Sequence, residues 1–333
     1  MTVTDSPSRA LSPEGSRNSE HTACGAVITH DLMKTFRRSS KPAVDKLNLF
    51  VPRGSVYGFL GPNGSGKTTT IRMLLGLVSP DSGSVEVLGQ SVSCRTSDTL
   101  HKVGALIEGP AFHPYLSGEA NLRRLDAADT GVDPRTSSTR IGHALERVGL
   151  TAAAGKTFRT YSLGMKQRLG IAAALLCERE LLVLDEPTNG LDPQGTREVR
   201  SLILELAAEG VTVLLSTHLL SEVEQVCSHV GVLRAGVLQA QGPLASLRPT
   251  PQLRIVTIDT VSTVAVLDRL GIAATVNDSG SVVAAFSAEN PQPPDILRSL
   301  VNEGIAVREF RIEQPNLEET FIELTGEGFD VSG

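Results

Sequence analysis

The sequence has no cysteine pair at metal or redox spacing, no long basic run and no apolar stretch that could cross a bilayer. Its four cysteines (Cys24, Cys94, Cys177 and Cys227) are scattered through 333 residues, none in a C-x-x-C or zinc spacing. They read as isolated reduced thiols. Lys and Arg number 31 against 37 Asp and Glu, for a net charge of −6. That excludes a dedicated nucleic-acid binder, whose affinity comes from many cations on phosphates. No apolar run approaches the ~20 residues a spanning helix needs. The N-terminal MTVTDSPSRALSPEGSRNSE is rich in Ser and Pro and lacks the apolar centre of a signal peptide. If the protein works at a membrane, it docks on another chain that crosses it. There is no tandem repeat and no sustained heptad pattern.

What is present is ordinary globular sequence, 40% hydrophobic and 20% charged, long enough for one large domain and one small one. Residues 1–24 offer little to bury and read as a disordered tail. From residue 25 to about 245, short apolar strands alternate with helical segments. VYGFL, ELLVLDEP and VTVLLSTH are the buried strands. This order predicts βαβ units and a parallel sheet covered on both faces. Pro52-Arg53-Gly54 reads as a turn between two strands, and residues 115–156 as mainly helical. Past Pro249-Thr250-Pro251 the order becomes β-α-β-β-α-β, which resembles a ferredoxin-like domain over about 250–326. NLEETFIELTG adds a last helix.

The stretch GPNGSGKTTT after VYGFL fits G-x-x-x-x-G-K-[ST]. Across Gly61, Pro62, Asn63, Gly64, Ser65 and Gly66, the glycines let the backbone wrap tightly so that successive N–H groups point inward at phosphate. The helix that follows offers its positive N-terminal end to the same anion. Lys67 reaches the β- and γ-phosphates, Thr68 offers its hydroxyl to Mg²⁺, and Thr69 continues the cradle. A strand before and a helix after supply the required context. Asp185, ending LLVLD, is placed to hold the metal, and Glu186 to orient or deprotonate the attacking water. His218 ends the next buried strand, at the edge where such sheets bind ligands. A lone histidine is more often structural, so its role at the γ-phosphate depends on the company of the other residues.

Together these pieces resemble the ATP-binding cassette of ABC transporters over about residues 26–242. The deciding segment is YSLGMKQRLGIA, between the P-loop and the Asp-Glu strand, where the family carries its signature. Tyr161, Ser162, Leu163, Gly164 and Met165 occupy that frame. Ser162 and Gly164 match the common form LSGGQ, whereas Leu163 and Met165 depart from it. The resemblance implies a RecA-like parallel core, an antiparallel β subdomain and a helical signature subdomain at about 112–176. It implies that Ser162 and the Gly164 backbone bind the γ-phosphate held by a second cassette. NGLD, ending at Asp192, is similar to the loop that contacts that partner. His218 matches the switch histidine, and Phe36 the aromatic that stacks on adenine. Glu108 stands where the family has a glutamine that meets the metal and the membrane partner, losing its amide donors and adding a charge. That substitution, with NGLDP and the C-terminal NLEETFIELTG, resembles the bacitracin, lantibiotic and daunorubicin exporter ATPases.

The resemblance therefore implies an ATPase subunit that uses ATP and Mg²⁺, works as a homodimer with integral membrane permease subunits, and sits on the cytoplasmic face of the membrane. Nucleic acid is not expected as a partner. The cargo class, a drug, antibiotic or peptide, is implied only by the family. Two rivals share the P-loop. A soluble cassette ATPase of translation or DNA repair would carry two cassettes or a long coiled coil. The chain has one cassette, and the roughly 95 residues between Lys67 and Ser162 show no heptads. A small-molecule kinase would not need the signature segment. The C-terminal domain has no cluster of ligating side chains and reads as a dimer or regulatory contact.

Overall fold

Three apolar runs fix the centre of the molecule: VYGFL, LLVLD and TVLLST are buried at every position. A strand with no polar face must be covered on both sides, and the rest of the fold supplies the covers. The computed structural model describes residues 25–37, 40–92, 100–109, 111–129, 131–247, 251–277, 279–287, 290–313 and Phe321. The expected tail, Cys24, Cys94, Pro249, Thr250 and the expected last helix apart from Phe321 lie outside the described residues.

The strands are β1 (Gly25–Lys34), β2 (Val44–Leu47), β3 (Phe50–Pro52), β4 (Val56–Leu60), β5 (Ser82–Val87), β6 (Gln90–Ser91), β7 (Val103–Leu106), β8 (Leu181–Asp185), β9 (Thr212–Thr217), β10 (His229–Arg234), β11 (Val237–Pro243), β12 (Gln252–Thr257), β13 (Ala274–Val276), β14 (Val282–Ala285) and β15 (Val307–Glu313). The helices are α1 (Lys67–Leu74), α2 (Gly118–Asp126), α3 (Ser137–Arg147), α4 (Leu163–Ala174), α5 (Pro193–Ala208), α6 (Leu220–Val226), α7 (Leu244–Leu247), α8 (Thr260–Arg269) and α9 (Pro293–Asn302).

The central sheet runs β11-β10-β4-β9-β8-β7. It is parallel from β10 to β7, and β11 returns as a hairpin partner of β10. Alternate residues feed opposite faces. Leu182, Leu184, Val213 and Leu215 join a core with Leu122, Ile141, Leu169, Val199 and Val223 from α2–α6. Leu181, Val183 and Leu214 join a second core with Ile71 and Leu74 of α1 and Val27 and Val85 of the antiparallel sheet. That antiparallel sheet has the order β2-β1-β5-β6, with β3 also paired to β1. The parallel core, antiparallel sheet and helical layer are those the sequence implied.

Further along, β12, α8, β13, β14, α9 and β15 follow in the expected order and pair as β13-β14-β12-β15. The buried face of this sheet, with Leu253, Ile255, Val282 and Ala284, packs on Leu267, Ile296 and Leu300 of α8 and α9. Phe321, wholly buried, belongs to the core that holds α2–α6 and Leu244. Cys177 and Cys227 are free thiols, and burial pushes the Cys227 thiol up to about 12. Among the described residues, no helix is long and apolar enough to cross a membrane.

Candidate active site

Register brings the expected chemistry to one edge. β4 pairs with β9 so that Leu60 faces Thr217, and β8 pairs with β9 so that Asp185 faces Ser216. The residues that leave these strands are Gly61, Glu186 and His218. They emerge side by side at the C-terminal edge, where ligands of open parallel sheets bind.

The loop after β4 wraps where a side chain would not fit. Gly66 has φ 107°, and a Cβ there would come 2.3 Å from the Ala43 carbonyl. Gly66 also caps α1, so the free N–H groups of that helix begin at the loop. Ala43 donates through its N–H to the Lys34 carbonyl at 2.8 Å. This ties the back of the P-loop to the end of β1, from which Phe36 follows. The Phe36 ring is 41% exposed, with Lys34 Nζ 5.8 Å from its centroid.

Lys67 is buried. Its Nζ donates to the carbonyls of Gly61 at 2.6 Å and Pro62 at 3.3 Å, and lies 3.4 Å from Glu186 Oε1. Burial pulls its pKa below the ordinary lysine value, against the opposing pull of Glu186 and Asp185. Thr68 Oγ1 donates to Asp185 Oδ2 at 2.9 Å, and Ser216 Oγ donates to Asp185 Oδ1. The same Ser216 oxygen accepts from the Glu186 N–H at 3.1 Å. One hydroxyl therefore fixes both acids. On the other side, His218 Nδ1 lies 2.7 Å from Glu186 Oε2. Glu186 has φ 49° and Glu108 φ 55°. Left-handed backbone costs a non-glycine residue about 1–2 kcal/mol, and Glu186 and Glu108 both adopt it, whereas Asp185 does not.

A cleft of about 670 Å³ runs from Thr68, Asp185 and Glu186 past Asn189 and Glu108 to Phe158, Leu163, Lys166 and Gln167. Glu108 is mostly exposed and paired with Arg72 of α1. Ser162 caps α4, its hydroxyl accepting from Met165 N–H at 3.2 Å. Just before it, Tyr161 buries its ring and donates its hydroxyl to the Ala153 carbonyl at 2.7 Å. Leu163 is 52% exposed, and its Cδ2 would meet a Cβ on Gly190 at 2.9 Å. The signature segment of one chain thus lies against its own Asn189–Asp192 loop. Asp192 caps α5 through the Gly195 N–H at 2.8 Å.

Several residues around the site were not singled out from sequence. Ser216 is one, and its only signal was its place in a buried strand. Arg72 is another. A third group is Thr188, Thr217 and Glu222, which share a buried set of hydrogen bonds. A signal existed for Glu222: an acid on the buried face of α6, four residues after His218.

Comparison with known proteins gives the same reading. Residues 44–189 match the family described as ABC transporter, and residues 242–325 that described as ATP-binding protein DrrA1-3-like, C-terminal domain. The bacitracin transport ATP-binding protein BcrA of Bacillus licheniformis is 39% identical over 91% of this chain and 98% of its own length. The daunorubicin resistance ATP-binding protein DrrA3 of Streptomyces coeruleorubidus is 36% identical over 87% of this chain and 93% of its own length. Among solved structures, cbiO1 from Clostridium perfringens, part of the ABC transporter complex cbiONQ, shares the fold at TM-score 0.59 and 27% identity, over 66% of this chain and 88% of that one. The motif-bearing loop at its sheet edge and the likeness to these two relatives over most of both chains converge: the chain belongs to the ABC transporter ATP-binding proteins and is an ATP-binding ATPase of that family.

Proposed function

We propose that this protein is the ATP-hydrolysing subunit of a multi-chain exporter. Two copies close head to tail around two ATP molecules, and closure and hydrolysis drive a separate membrane permease that moves a drug, antibiotic or peptide outward. The protein then sits on the cytoplasmic face of the membrane through that permease. The observation that carries the ATPase chemistry is the convergence of Lys67, Glu186 and His218 at one sheet edge. The cargo class is supported by the bacitracin and daunorubicin relatives, which match over nearly their whole length. We read residues 25–245 as the cassette, with its helical subdomain at about 112–176, and 250–326 as an accessory domain that stabilises or regulates the dimer.

A magnesium ion fits the donors present. Thr68 and Asp185 offer hard oxygen ligands within 2.9 Å of each other, and Glu108 lies on the same cleft. Mg²⁺ would be held by such a sparse oxygen set together with substrate phosphates and water. Bound with ATP, it supplies charge neutralisation on the phosphoryl oxygens.

The chain's own groups do the rest. The loop from Gly61 to Thr69 wraps the phosphates with the N–H groups it leaves free, and Lys67 exchanges its carbonyl partners for their oxygens. Glu186 orients the attacking water in line with the γ-phosphate and takes its proton. His218 steadies the Glu186 carboxylate and contacts the γ-phosphate. Phe36 stacks on the adenine. Ser162, Leu163, Gly164 and Met165 of the second copy close the site from the other side, with Asp192 in the loop between the copies.

Glu186→Gln tests the chemistry. Turnover should fall at least about 100-fold, ATP binding should persist, and ATP should trap a dimer visible by light scattering. Undiminished hydrolysis would remove Glu186 from its role. Transport is tested by purifying tagged protein from gently solubilised membranes of its native cell. A stoichiometric polytopic chain is expected. Ribosomal or DNA-repair proteins in its place would leave the ATPase chemistry intact and overturn the transporter reading.

A further inference from the structure

We infer that Glu222 is a positioning residue for turnover: its buried carboxylate joins the loop leaving Glu186 to the strand end that carries His218. This rests on the roles given above to Glu186 and His218. Glu222 is 4% exposed on α6. Its Oε2 accepts from Thr217 Oγ1 at 2.7 Å, and its Oε1 accepts from Thr188 Oγ1. Arg200 lies 3.9 Å from Oε1. Thr217 immediately precedes His218, and its hydroxyl also accepts from the Leu219 N–H at 3.0 Å. The turn that presents His218 is therefore held from both ends. Thr188 lies two residues after Glu186, and its carbonyl accepts from the Leu191 N–H at 3.1 Å, within the Asn189–Asp192 loop.

A buried acid costs stability unless it is fully hydrogen-bonded, and an apolar side chain would pack this face of α6 more cheaply. What the acid adds is geometry. Its two oxygens take both hydroxyls at once, which no apolar side chain can do. A satisfied network of this kind fixes one arrangement of its members. Here it sets the distance between the Glu186 loop and the His218 turn, and so the 2.7 Å approach of His218 to Glu186. It also makes the loop facing the second copy move together with the histidine, since Glu222 holds both.

The test compares Glu222→Leu with Glu222→Gln in the full-length protein. Glutamine keeps one acceptor and can donate through its amide to a threonine hydroxyl. Glu222→Leu should lower kcat at least 10-fold while KM for ATP and binding of a non-hydrolysable ATP analogue stay within about 3-fold. Glu222→Gln should recover kcat to within about 3-fold of the native protein. Thr188→Val and Thr217→Val should each lower kcat, and together by no more than Glu222→Leu, because all three cut the same network. A kcat within 2-fold of native for Glu222→Leu overturns the inference, as does a parallel loss of nucleotide binding. If Glu222→Leu does not fold, a well-folded Thr188→Val, Thr217→Val double variant with native kcat overturns it equally. Glu186→Gln run alongside separates the levels. Turnover surviving there removes the underlying reading, whereas a dead Glu186→Gln beside an active Glu222→Leu removes only this inference.

Discussion

Lys67 occupies a position that suits its charge poorly until phosphate arrives. Its burial outweighs the pull of Glu186 and Asp185, so its pKa lies below 10.5 in the folded chain. Between the folded value and 10.5 the unfolded chain binds more protons than the folded one. Native stability therefore rises with pH across that window. Lys67→Met should lose that part of the rise in thermal melts of the nucleotide-free protein and hydrolyse ATP at less than about 1% of the native rate. An unchanged slope would refute the burial argument. Glu108 carries the opposite expectation. Its pairing with Arg72 is largely exposed, 61% and 35% for the two side chains, and such pairs contribute about 0–1 kcal/mol. Glu108→Gln should leave melting and isolated ATPase activity nearly unchanged and alter only ATPase stimulation by the permease. Unchanged transport by the reconstituted complex would deny Glu108 a special role. The glycines, Lys67, Thr68, Asp185 and Glu186 were legible because the chemistry dictates their spacing. Ser216, Thr188 and Glu222 were not. Their oxygens meet the site through strand register and a helix turn, and a hydroxyl in a buried strand looks the same whether or not it serves an acid.

At the scale of elements, the cap residue of α4 carries an observed job and a proposed one. Ser162 caps the helix, and the same hydroxyl is assigned to a partner's phosphate. Substitution can separate these jobs. Ser162→Ala should cost about 0.5–2 kcal/mol through the cap. Ser162→Asp keeps a strong cap and places a negative charge where a helix N-terminus favours one. It should melt at or above the native temperature, yet lower turnover at least 10-fold by repelling phosphate. Native turnover in Ser162→Asp would leave the residue with its cap alone. The β-α-β-β-α-β order of residues 252–313 was readable from alternating apolar strands and amphipathic helices. The hairpin of β10 and β11 was passed over. Its turn residues Ala235 and Gly236 both have positive φ, 47° and 85°, a hairpin geometry usually marked by Asn or Asp ahead of the glycine. With alanine there, that mark is missing.

For the whole molecule, the boundary drawn along the sequence is not the boundary drawn by packing. Phe321 lies far beyond β11, yet it is 0% exposed in the core that carries α2–α6. Truncating a buried phenylalanine costs about 3–5 kcal/mol. At roughly 2–4 °C per kcal/mol for a domain of this size, Phe321→Ala should lower the melting of the cassette by on the order of 10 °C. A shift confined to the C-terminal sheet, followed by hydrogen exchange, would show that the cassette does not depend on it. The consequence reaches back to synthesis. The ~74 residues between Leu247 and Phe321 take the ribosome roughly 4–15 s. During that interval the cassette has all its strands and its whole P-loop but an open place in its wall. A newborn chain thus meets nucleotide before Phe321 has arrived to close this core.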